Sequence, residues 1–322
     1  MEKSSCKDLV IAITFLCNSR CRMCNIWRKN IAGNLKPSDF NKIPSGLSNI
    51  NITGGEPFLR NDLEEILAVL HKNNPQAKII ISSNGFATEL IVKQVEKIKK
   101  IIPDIGIALS LDGAGEKHDE IRGIPGGFNK VMVTVNGLKK IGLKNMRLAF
   151  TLGDYNIDQL KKVYNLSREL NIEMTLAAVH SGEKYFDAEN KIEKKLEMAK
   201  ALDWLIGREL KSFSPKRWVR AYFAFGLKEF ILKGKRILPD YSGKYNLFID
   251  PFGDIYPSDV SSLKIGNLEN GLNNLKQVVI DQNSNWMICT ARVAIKKHWP
   301  RFILWLTRNN FLTVSYEDYT NK

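Results

Sequence analysis

Three cysteines stand close together near the amino terminus of this 322-residue chain, at Cys17, Cys21 and Cys24. Their spacing, C-x3-C-x2-C, puts three thiolates on one short loop, where they can bind three irons of a [4Fe–4S] cube and leave the fourth iron open. A structural zinc site needs a fourth ligand nearby, and the nearest histidines, His71 and His118, are far along the chain. The spacing therefore favours an iron–sulfur cluster over zinc.

The elements that must position this loop are visible as an alternation of short apolar runs and amphipathic stretches. The runs predict six strands, at Leu9–Leu16, Ser48–Thr53, Lys78–Ser83, Gly106–Leu111, Met146–Leu152 and Ile172–Val179. Apolar residues at three- and four-residue spacing predict helices between and after them, at Asp62–His71, Glu89–Lys100, Phe128–Ile141, Ile157–Leu170 and Lys191–Lys211. Strands that alternate with helices predict a parallel sheet, either a barrel or an open doubly wound sheet.

The residues that could bind a ligand or take part in catalysis follow the strands. Cys17 comes after the first strand, Gly54-Gly55-Glu56-Pro57 after the second, Ser83-Asn84-Gly85 after the third, and Ser110 and Asp112 end the fourth. Because active sites in both architectures lie at the carboxyl ends of the strands, we expect these residues to face one cavity.

Composition narrows the class of protein. Hydrophobic residues make up 44% and charged residues 25% of the chain, which excludes a disordered or collagen-like protein. The chain lacks a signal-peptide pattern and an apolar run of about eighteen residues, so we expect a cytoplasmic protein. The formal charge of +14 indicates either a lysine-rich surface or an anionic partner. No nucleic-acid-binding signature accompanies that charge, so we expect no nucleic-acid partner.

The placement of the cysteine triplet after the first strand resembles that of the radical S-adenosylmethionine (SAM) enzymes, over about residues 8 to 213. The resemblance implies a partial (β/α)6, TIM-like barrel with one [4Fe–4S] cluster bound by Cys17, Cys21 and Cys24. In that family the open iron chelates SAM, and an external electron donor of flavodoxin or ferredoxin type delivers the electron that cleaves it. The resulting 5′-deoxyadenosyl radical abstracts hydrogen from a substrate.

The same resemblance assigns SAM contacts. Thr53-Gly54-Gly55-Glu56-Pro57 is similar to the family's GGEP loop, and Ser110-x-Asp112-Gly113 with His118-Asp119 and Arg122-Gly123 is similar to its S-x-D-G, H-D and R-G run. We therefore expect SAM to contact Gly54, Gly55, Glu56, Pro57, Asn84, Ser110, Asp112 and Arg122. Met23 stands where the family often has an aromatic residue against the adenine, and methionine can pack there. We expect His118 to be structural.

Residues 216–322 form a predicted second domain, an appended α+β module after a barrel of residues 1–215. A hairpin is predicted over Asn246–Pro257, followed by helices near 272–281 and 286–309. This part resembles the SPASM/twitch module, which usually binds auxiliary iron–sulfur clusters through cysteines. Asp240 and Ser258 stand where cysteines are expected and only Cys289 is left of a cysteine cluster, so we expect no auxiliary cluster.

Two further features bear on function. Asp259 directly follows the Ser258 position, as does an aspartate that acts as general base in the related anaerobic sulfatase-maturating enzymes; the alternative is a solvated aspartate at a hairpin end. The last predicted helix, Trp286–Leu312, has Lys, Arg and aromatic residues and no acidic residue. It fits either peripheral contact with anionic lipid or packing on the barrel, and Pro300 is expected to kink or split it.

The sequence thus predicts a radical SAM enzyme acting on an unidentified substrate, a peptide, a sugar, a nucleotide or a lipid-linked group. The positive charge favours an anionic or lipid-linked substrate. The alternative is a non-catalytic iron–sulfur or zinc-binding protein on a degenerate radical SAM scaffold.

Overall fold

The computed structural model describes residues 6–272 and 275–310. The strands are β1 (Asp8–Ala12), β2 (Asn49–Thr53), β3 (Lys78–Ser83), β4 (Gly106–Ser110), β5 (Met146–Leu152), β6 (Glu173–Ala178), β7 (Asn246–Ile249), β8 (Asp254–Tyr256) and β9 (Gly266–Asn267). The helices are α1 (Ile26–Lys29), α2 (Leu63–Asn73), α3 (Thr88–Ile101), α4 (Glu116–Arg122), α5 (Gly127–Lys140), α6 (Gln159–Glu169), α7 (Lys195–Leu210), α8 (Pro215–Lys233), α9 (Ile288–Lys297) and α10 (Trp299–Asn310).

The nine strands found in residues 6–272 and 275–310 form one sheet, in the order β6-β5-β4-β3-β2-β1-β7-β8-β9. Strands β1 to β6 are parallel neighbours in sequence order, and β7 adds to β1 in the parallel sense. Strands β8 and β9 pair antiparallel at the far edge. The mixed α/β fold with a parallel six-stranded βα series confirms the predicted partial barrel.

Alternation along the strands separates the core from the interior of the barrel. In β5, Met146, Leu148, Phe150 and Leu152 are buried in the hydrophobic core, whereas the intervening residues are half-buried. Strand β6 repeats the pattern. Because successive side chains of a strand point to opposite faces, one face of each strand packs on the helices and the other lines the barrel interior.

The carboxyl-terminal part departs from prediction in one segment. The helix expected at 272–281 is wrong for 275–281, which is not helical, and residues 273 and 274 lie outside the described residues. The backbone amide of Lys276 donates to the carbonyl of Ile265 (2.8 Å), and the β-branched run 278–280 disfavours a helix. Nevertheless Leu272 and Leu275 pack into the core, which accounts for the misleading apolar spacing.

Helix α8 is missing from the predicted elements because it is apolar on nearly all faces. It packs against α7 on one side and α9 and α10 on another, so its sequence lacks the one-sided pattern of a surface helix. At Gly226 a Cβ atom would lie 2.2 Å from the ring of Trp286, whose indole nitrogen donates to the carbonyl of Phe223 (3.0 Å). Tyr222 of α8 also contacts Phe302 and Trp305 of α10.

The predicted terminal helix is split, as expected from Pro300, into α9 and α10. Residues 311 and 312 of that prediction lie outside the described residues. None of the described helices combines the length and apolarity needed to cross a membrane.

Candidate functional site at the carboxyl ends of the parallel strands

The carboxyl ends of β1 to β6 surround a cavity of about 260 Å³, the strand-end cavity. Each of the six strands contributes lining residues from its end or from the loop that follows. The predicted site residues among them are Cys17, Cys21, Met23, Cys24, Gly54, Gly55, Asn84, Ser110 and Arg122. Glu56, Pro57, Asp112 and Asp259 are not among the lining residues, and their direct contact with a ligand stays a prediction.

The cysteine loop is tied to the carboxyl end of α4. The backbone amide of Arg20 and the hydroxyl of Ser19 both donate to the carbonyl oxygen of Arg122, at 2.9 and 3.0 Å. The same hydroxyl lies 3.0 Å from the Sγ atom of Cys21. The loop is therefore fixed by contacts of the chain itself.

The three thiols of the cysteine loop share one cavity. All three cysteines line the strand-end cavity, yet no group of three His, Cys, Asp or Glu side chains in the described residues could hold one metal ion. In a cube each thiolate binds a different iron, so the ligands need not converge on one point. Burial raises the pKa of Cys17 and of Cys24 to about 12, so binding of iron must displace their protons.

The two glycines after β2 are required by the approach of the cysteine loop. Gly54 has a φ of +144°, and a Cβ atom there would lie 2.3 Å from the carbonyl oxygen of Thr14. At Gly55 a Cβ atom would lie 2.2 Å from the carbonyl oxygen of Leu16. The amide of Gly55 and that of Glu56 donate to these two carbonyls, both at 2.8 Å. The glycines thus seat this loop directly against the cysteine loop.

Glu56 is fully buried and organises the end of β3. One carboxylate oxygen accepts from the Ser83 hydroxyl (3.0 Å) and the Phe58 amide (3.3 Å), and the other accepts from the Asn84 amide (2.7 Å). Burial raises the pKa of Glu56 to about 7. Pro57 follows as the first residue of a buried 3-10 turn. Both residues therefore position the loops on either side of the strand-end cavity.

Asp112 and Arg122 form a buried ion pair beneath the cavity. The Nε and Nη2 atoms of Arg122 donate to one oxygen of Asp112, at 2.7 and 2.6 Å. The other oxygen accepts from the Thr151 amide at 2.8 Å. Burial raises the pKa of Asp112, although the nearby guanidinium opposes that shift. The Nη1 atom of Arg122 lies 3.5 Å from the Sγ atom of Cys21, so the pair reaches the cysteine loop.

Two histidines beside the site hold opposite tautomers. The Nδ1 atom of His118 accepts from the Asp112 amide (3.1 Å), which makes this buried residue structural, as predicted. In His180 the Nδ1 atom lies 2.7 Å from the carbonyl oxygen of Ala178 and must donate to it. The Nε2 atom of His180 then carries a lone pair, and it is buried without a partner among the described residues. Because burial lowers the pKa of His180, the ring is neutral.

His180 and Tyr185 line the strand-end cavity, and the sequence analysis missed both. The Tyr185 hydroxyl lies 3.1 Å from the hydroxyl of Thr53 and donates to the carbonyl of Gly54 (3.0 Å). The strand-end pattern could have found His180, because it follows β6 as Asn84 follows β3. Tyr185 lies in the longer loop after β6 and carries no such signal.

Asp259 is half-buried, and its Oδ1 atom is buried. Its Oδ1 atom has no hydrogen-bond partner among the described residues, and burial raises the pKa of the carboxyl to about 6. Its charge acts on Tyr185 and on Cys289, since it raises the pKa of both groups. The carboxyl is thus partly removed from solvent, and its role as general base stays a prediction.

The positions expected to carry auxiliary-cluster cysteines are occupied by a hydrogen-bonded polar network. One oxygen of Asp240 accepts from the amide and the hydroxyl of Ser242, at 2.9 and 2.6 Å. The other oxygen lies 3.4 Å from the amide nitrogen of Asn285 and 3.8 Å from the Nη1 atom of Arg236. Ser258, which directly follows the hairpin, is buried. The oxygens of Asp240 are thus engaged within the chain.

Comparison with known proteins finds relatives for the barrel part of the chain. Residues 11–167 match the family model described as "Radical SAM superfamily". A probable GTP 3′,8-cyclase of Metallosphaera sedula is 28% identical over 183 residues, which cover 54% of this chain and 56% of that protein. The GTP 3′,8-cyclase of Helicobacter pylori is 30% identical over 179 residues, covering 51% and 53%. The chain spans about half the length of the curated relatives it matches.

Solved structures agree on the fold. The structure of anSMEcpe with bound AdoMet superposes with a TM-score of 0.61 at 18% identity and covers 94% of this chain and 99% of that one. SuiB of Streptococcus suis bound to S-adenosylmethionine gives a TM-score of 0.60 at 18% identity, covering 82% and 64%. The comparisons do not confirm the SPASM/twitch resemblance of residues 216–322. Residues 11–167 are thus similar to the radical SAM superfamily, whose cofactors are a [4Fe–4S] cluster and SAM.

Proposed function

We propose that the chain is a radical SAM enzyme that binds one [4Fe–4S] cluster through Cys17, Cys21 and Cys24. The observation that carries the proposal is that these thiols and the loop of Gly54 and Gly55 line one cavity at the carboxyl ends of the strands. When bound, the cluster and SAM together supply a 5′-deoxyadenosyl radical that abstracts a hydrogen atom from the substrate.

The residues of the chain bind and orient SAM in this proposal. The Nη1 atom of Arg122 is the donor that the ion pair with Asp112 leaves for a carboxylate. Ser110 and Asn84 present hydroxyl and amide groups to the cavity, and Met23 offers an apolar surface. Glu56, Pro57 and Asp112 act on SAM by fixing the backbone around it. The lone pair of His180 Nε2 accepts a hydrogen bond from one of the donors of SAM.

Asp259 is proposed as the general base. Its unpartnered carboxylate oxygen and raised pKa suit a group that takes a proton when a substrate is oxidised. It lies beside Tyr185, whose side chain lines the strand-end cavity. A proton released in the strand-end cavity has to pass Tyr185 to reach Asp259. The Tyr185 side chain must therefore move aside or relay the proton.

The partners and the division of the chain are part of the same proposal. The electron comes from an external donor of flavodoxin or ferredoxin type. The barrel comprises residues 1–215, and residues 216–322 close its open side through α8 and α9. Peripheral contact with anionic lipid would use α10, where Trp299 is 62% and Leu304 52% exposed. Cosedimentation with phosphatidylglycerol vesicles, but not with phosphatidylcholine vesicles, tests that contact.

Anaerobic reconstitution with iron and sulfide, followed by incubation with SAM and a strong reductant, tests the proposed function. We expect about four irons per chain and release of 5′-deoxyadenosine. Cys21→Ala should abolish both, whereas Cys6→Ala, a matched change in the core near β1, should leave both unchanged. About eight irons would show an auxiliary cluster. Zinc, or four irons without deoxyadenosine, would favour the non-catalytic alternative.

A further inference from the structure

A second cavity of about 520 Å³, the apolar cavity, lies beside β6, the edge strand of the sheet. Its lining comes from β5, β6 and the helices α7 to α10. Most of its surface is apolar, with contributions from Met174, Leu176, Leu205, Phe223, Ile295 and Phe302. A cavity of this size with apolar walls suits a small organic ligand.

Three arginines also line the apolar cavity, and one of them has no carboxylate partner. Arg220 is 2.6 Å from a carboxylate oxygen of Glu173, and Arg292 is 3.1 Å from one of Asp8. For Arg147 the described residues provide one acceptor, the side-chain oxygen of Asn145 at 3.4 Å.

The Nε atom of Arg147 is buried without a hydrogen-bond partner among those residues. Burial lowers the pKa of Arg147, Glu173 raises it, and Arg220 and Arg292 add to the lowering. Because Arg147 lines the apolar cavity and has no carboxylate partner among the described residues, a bound oxyanion would supply the acceptor that its guanidinium lacks.

The remaining charged residues around the cavity are mostly basic. Lys216 and Lys296 line it, and Glu209 is the one acidic lining residue. Glu209 is already paired with Arg217 at 3.3 Å, and Lys216 joins Arg220 on Glu173. The cavity therefore combines an apolar interior with an excess of positive charge.

The two cavities share a wall of the barrel. Along β5, Arg147 lines the apolar cavity, while Ala149 and Thr151 line the strand-end cavity. Residues two apart on a strand point to the same face and are separated by about 6.6 Å. On β6, Thr175 and Ala177 repeat this succession. A ligand in the apolar cavity thus lies next to the proposed SAM site on the same interior face.

We propose that the apolar cavity binds the substrate, a small amphiphile whose apolar part fills the cavity and whose carboxylate or phosphate pairs with Arg147. The cavity and its charges stand independently, but the role of the amphiphile as substrate rests on the proposed function. Because the pairing needs a negative charge, neutral and cationic amphiphiles of equal chain length bind more weakly.

Calorimetric titration of the reconstituted full chain with dodecyl phosphate and with dodecanoate, below their micelle concentrations, tests the proposal. We expect one molecule of either to bind per chain, and dodecanol and dodecyltrimethylammonium to bind at least about tenfold more weakly. Inorganic phosphate alone should not bind measurably. Arg147→Met should weaken dodecyl phosphate roughly 10- to 100-fold, and Arg308→Met, an exposed arginine on α10, should not.

A crosslinking measurement on the wild-type chain covers the case in which Arg147→Met fails to fold. A diazirine-tagged fatty acid should label residues of the apolar cavity, such as Leu205, Phe223 and Ile295. Labelling elsewhere, or equal binding of charged and neutral amphiphiles, would overturn the proposal. Release of deoxyadenosine with no amphiphile binding rejects this inference alone, whereas amphiphile binding without SAM cleavage rejects the proposed function alone.

Discussion

The strand-end cavity and the apolar cavity are each lined by an arginine, and the two arginines differ in their partners. Arg122 donates twice to Asp112, whose second oxygen is held by the Thr151 amide. Arg147 has one long contact to Asn145 and a buried Nε atom without a partner among the described residues. The arginine of the strand-end cavity is therefore paired with a carboxylate of the chain. The arginine of the apolar cavity has no carboxylate partner among the described residues.

This difference separates a guanidinium that the chain itself holds in place from one that has no carboxylate partner among the described residues. A buried ion pair that is fully hydrogen-bonded holds its neighbours in one geometry, which suits loops that must present three thiols. An unmatched buried charge is a cost to folding, and a chain retains such a cost where a ligand offsets it. The same contrast recurs between Asp112, whose two oxygens are both hydrogen-bonded, and Asp259, whose Oδ1 atom has no partner among the described residues.

The largest expected effect comes from breaking the complete pair. Arg122→Met leaves Asp112 buried without its cation, and removal of one partner of a buried pair costs about 3–5 kcal/mol. Urea unfolding of the cluster-free chain at pH 7 should show this loss of unfolding free energy. The double variant Arg122→Met with Asp112→Leu should recover most of it. A loss below about 1 kcal/mol in the single variant would contradict the view of this pair as scaffold.

Asp259 gives the next largest effect, and its sign depends on pH. Burial raises its pKa from 3.8 to about 6, so the folded chain binds the proton more tightly than the unfolded chain. Wild-type stability therefore falls as pH rises from about 4 to 6, by about 3 kcal/mol from this group. Asp259→Asn removes that fall and should be more stable than wild type at pH 8 but not at pH 4.

Thermal unfolding of wild type and of Asp259→Asn across this pH range measures the effect. Equal stability of the two chains at both pH 4 and pH 8 would contradict it.

Much of the barrel was predictable because the spacing of apolar residues and the polar segments between elements indicate the same boundaries. Strands β3 and β5 begin and end at the predicted residues, since each alternates core and interior positions between polar segments. Helix α8 was missed because it is buried on several sides, and α4 because it has only seven residues. The segment 275–281 has apolar residues at helical spacing but is not helical, and the backbone amide of Lys276 donates to the carbonyl of Ile265 instead.

The site residues that belong to short sequence motifs were predictable. The cysteines, Gly54, Gly55, Asn84, Ser110 and Arg122 come together as expected at the strand ends. Arg147 and His180 could not be assigned a role, because what distinguishes them is a missing partner. The sequence shows neither the burial of an Nε atom nor the carbonyl that fixes a histidine tautomer.

A smaller effect is expected at His180. His180→Phe keeps the ring stacked near Phe230 and removes the Nε2 lone pair. Since a net hydrogen bond contributes about 0.5–1.5 kcal/mol, the affinity of the reconstituted chain for SAM should fall roughly 2- to 10-fold. Equilibrium binding measures this. An unchanged affinity would show that the lone pair faces something other than SAM.

The smallest effect on stability is expected at Arg147. Arg147→Met keeps an apolar stem in the apolar cavity and removes a guanidinium that has no carboxylate partner. No anion is stranded, so the unfolding free energy should change by less than about 0.5 kcal/mol or increase slightly. The same substitution at Arg122 costs several kcal/mol, and urea unfolding of the two variants side by side compares the two arginines. A loss at position 147 as large as that at position 122 would mean that Arg147 is scaffold too, and the two cavities would no longer differ in kind.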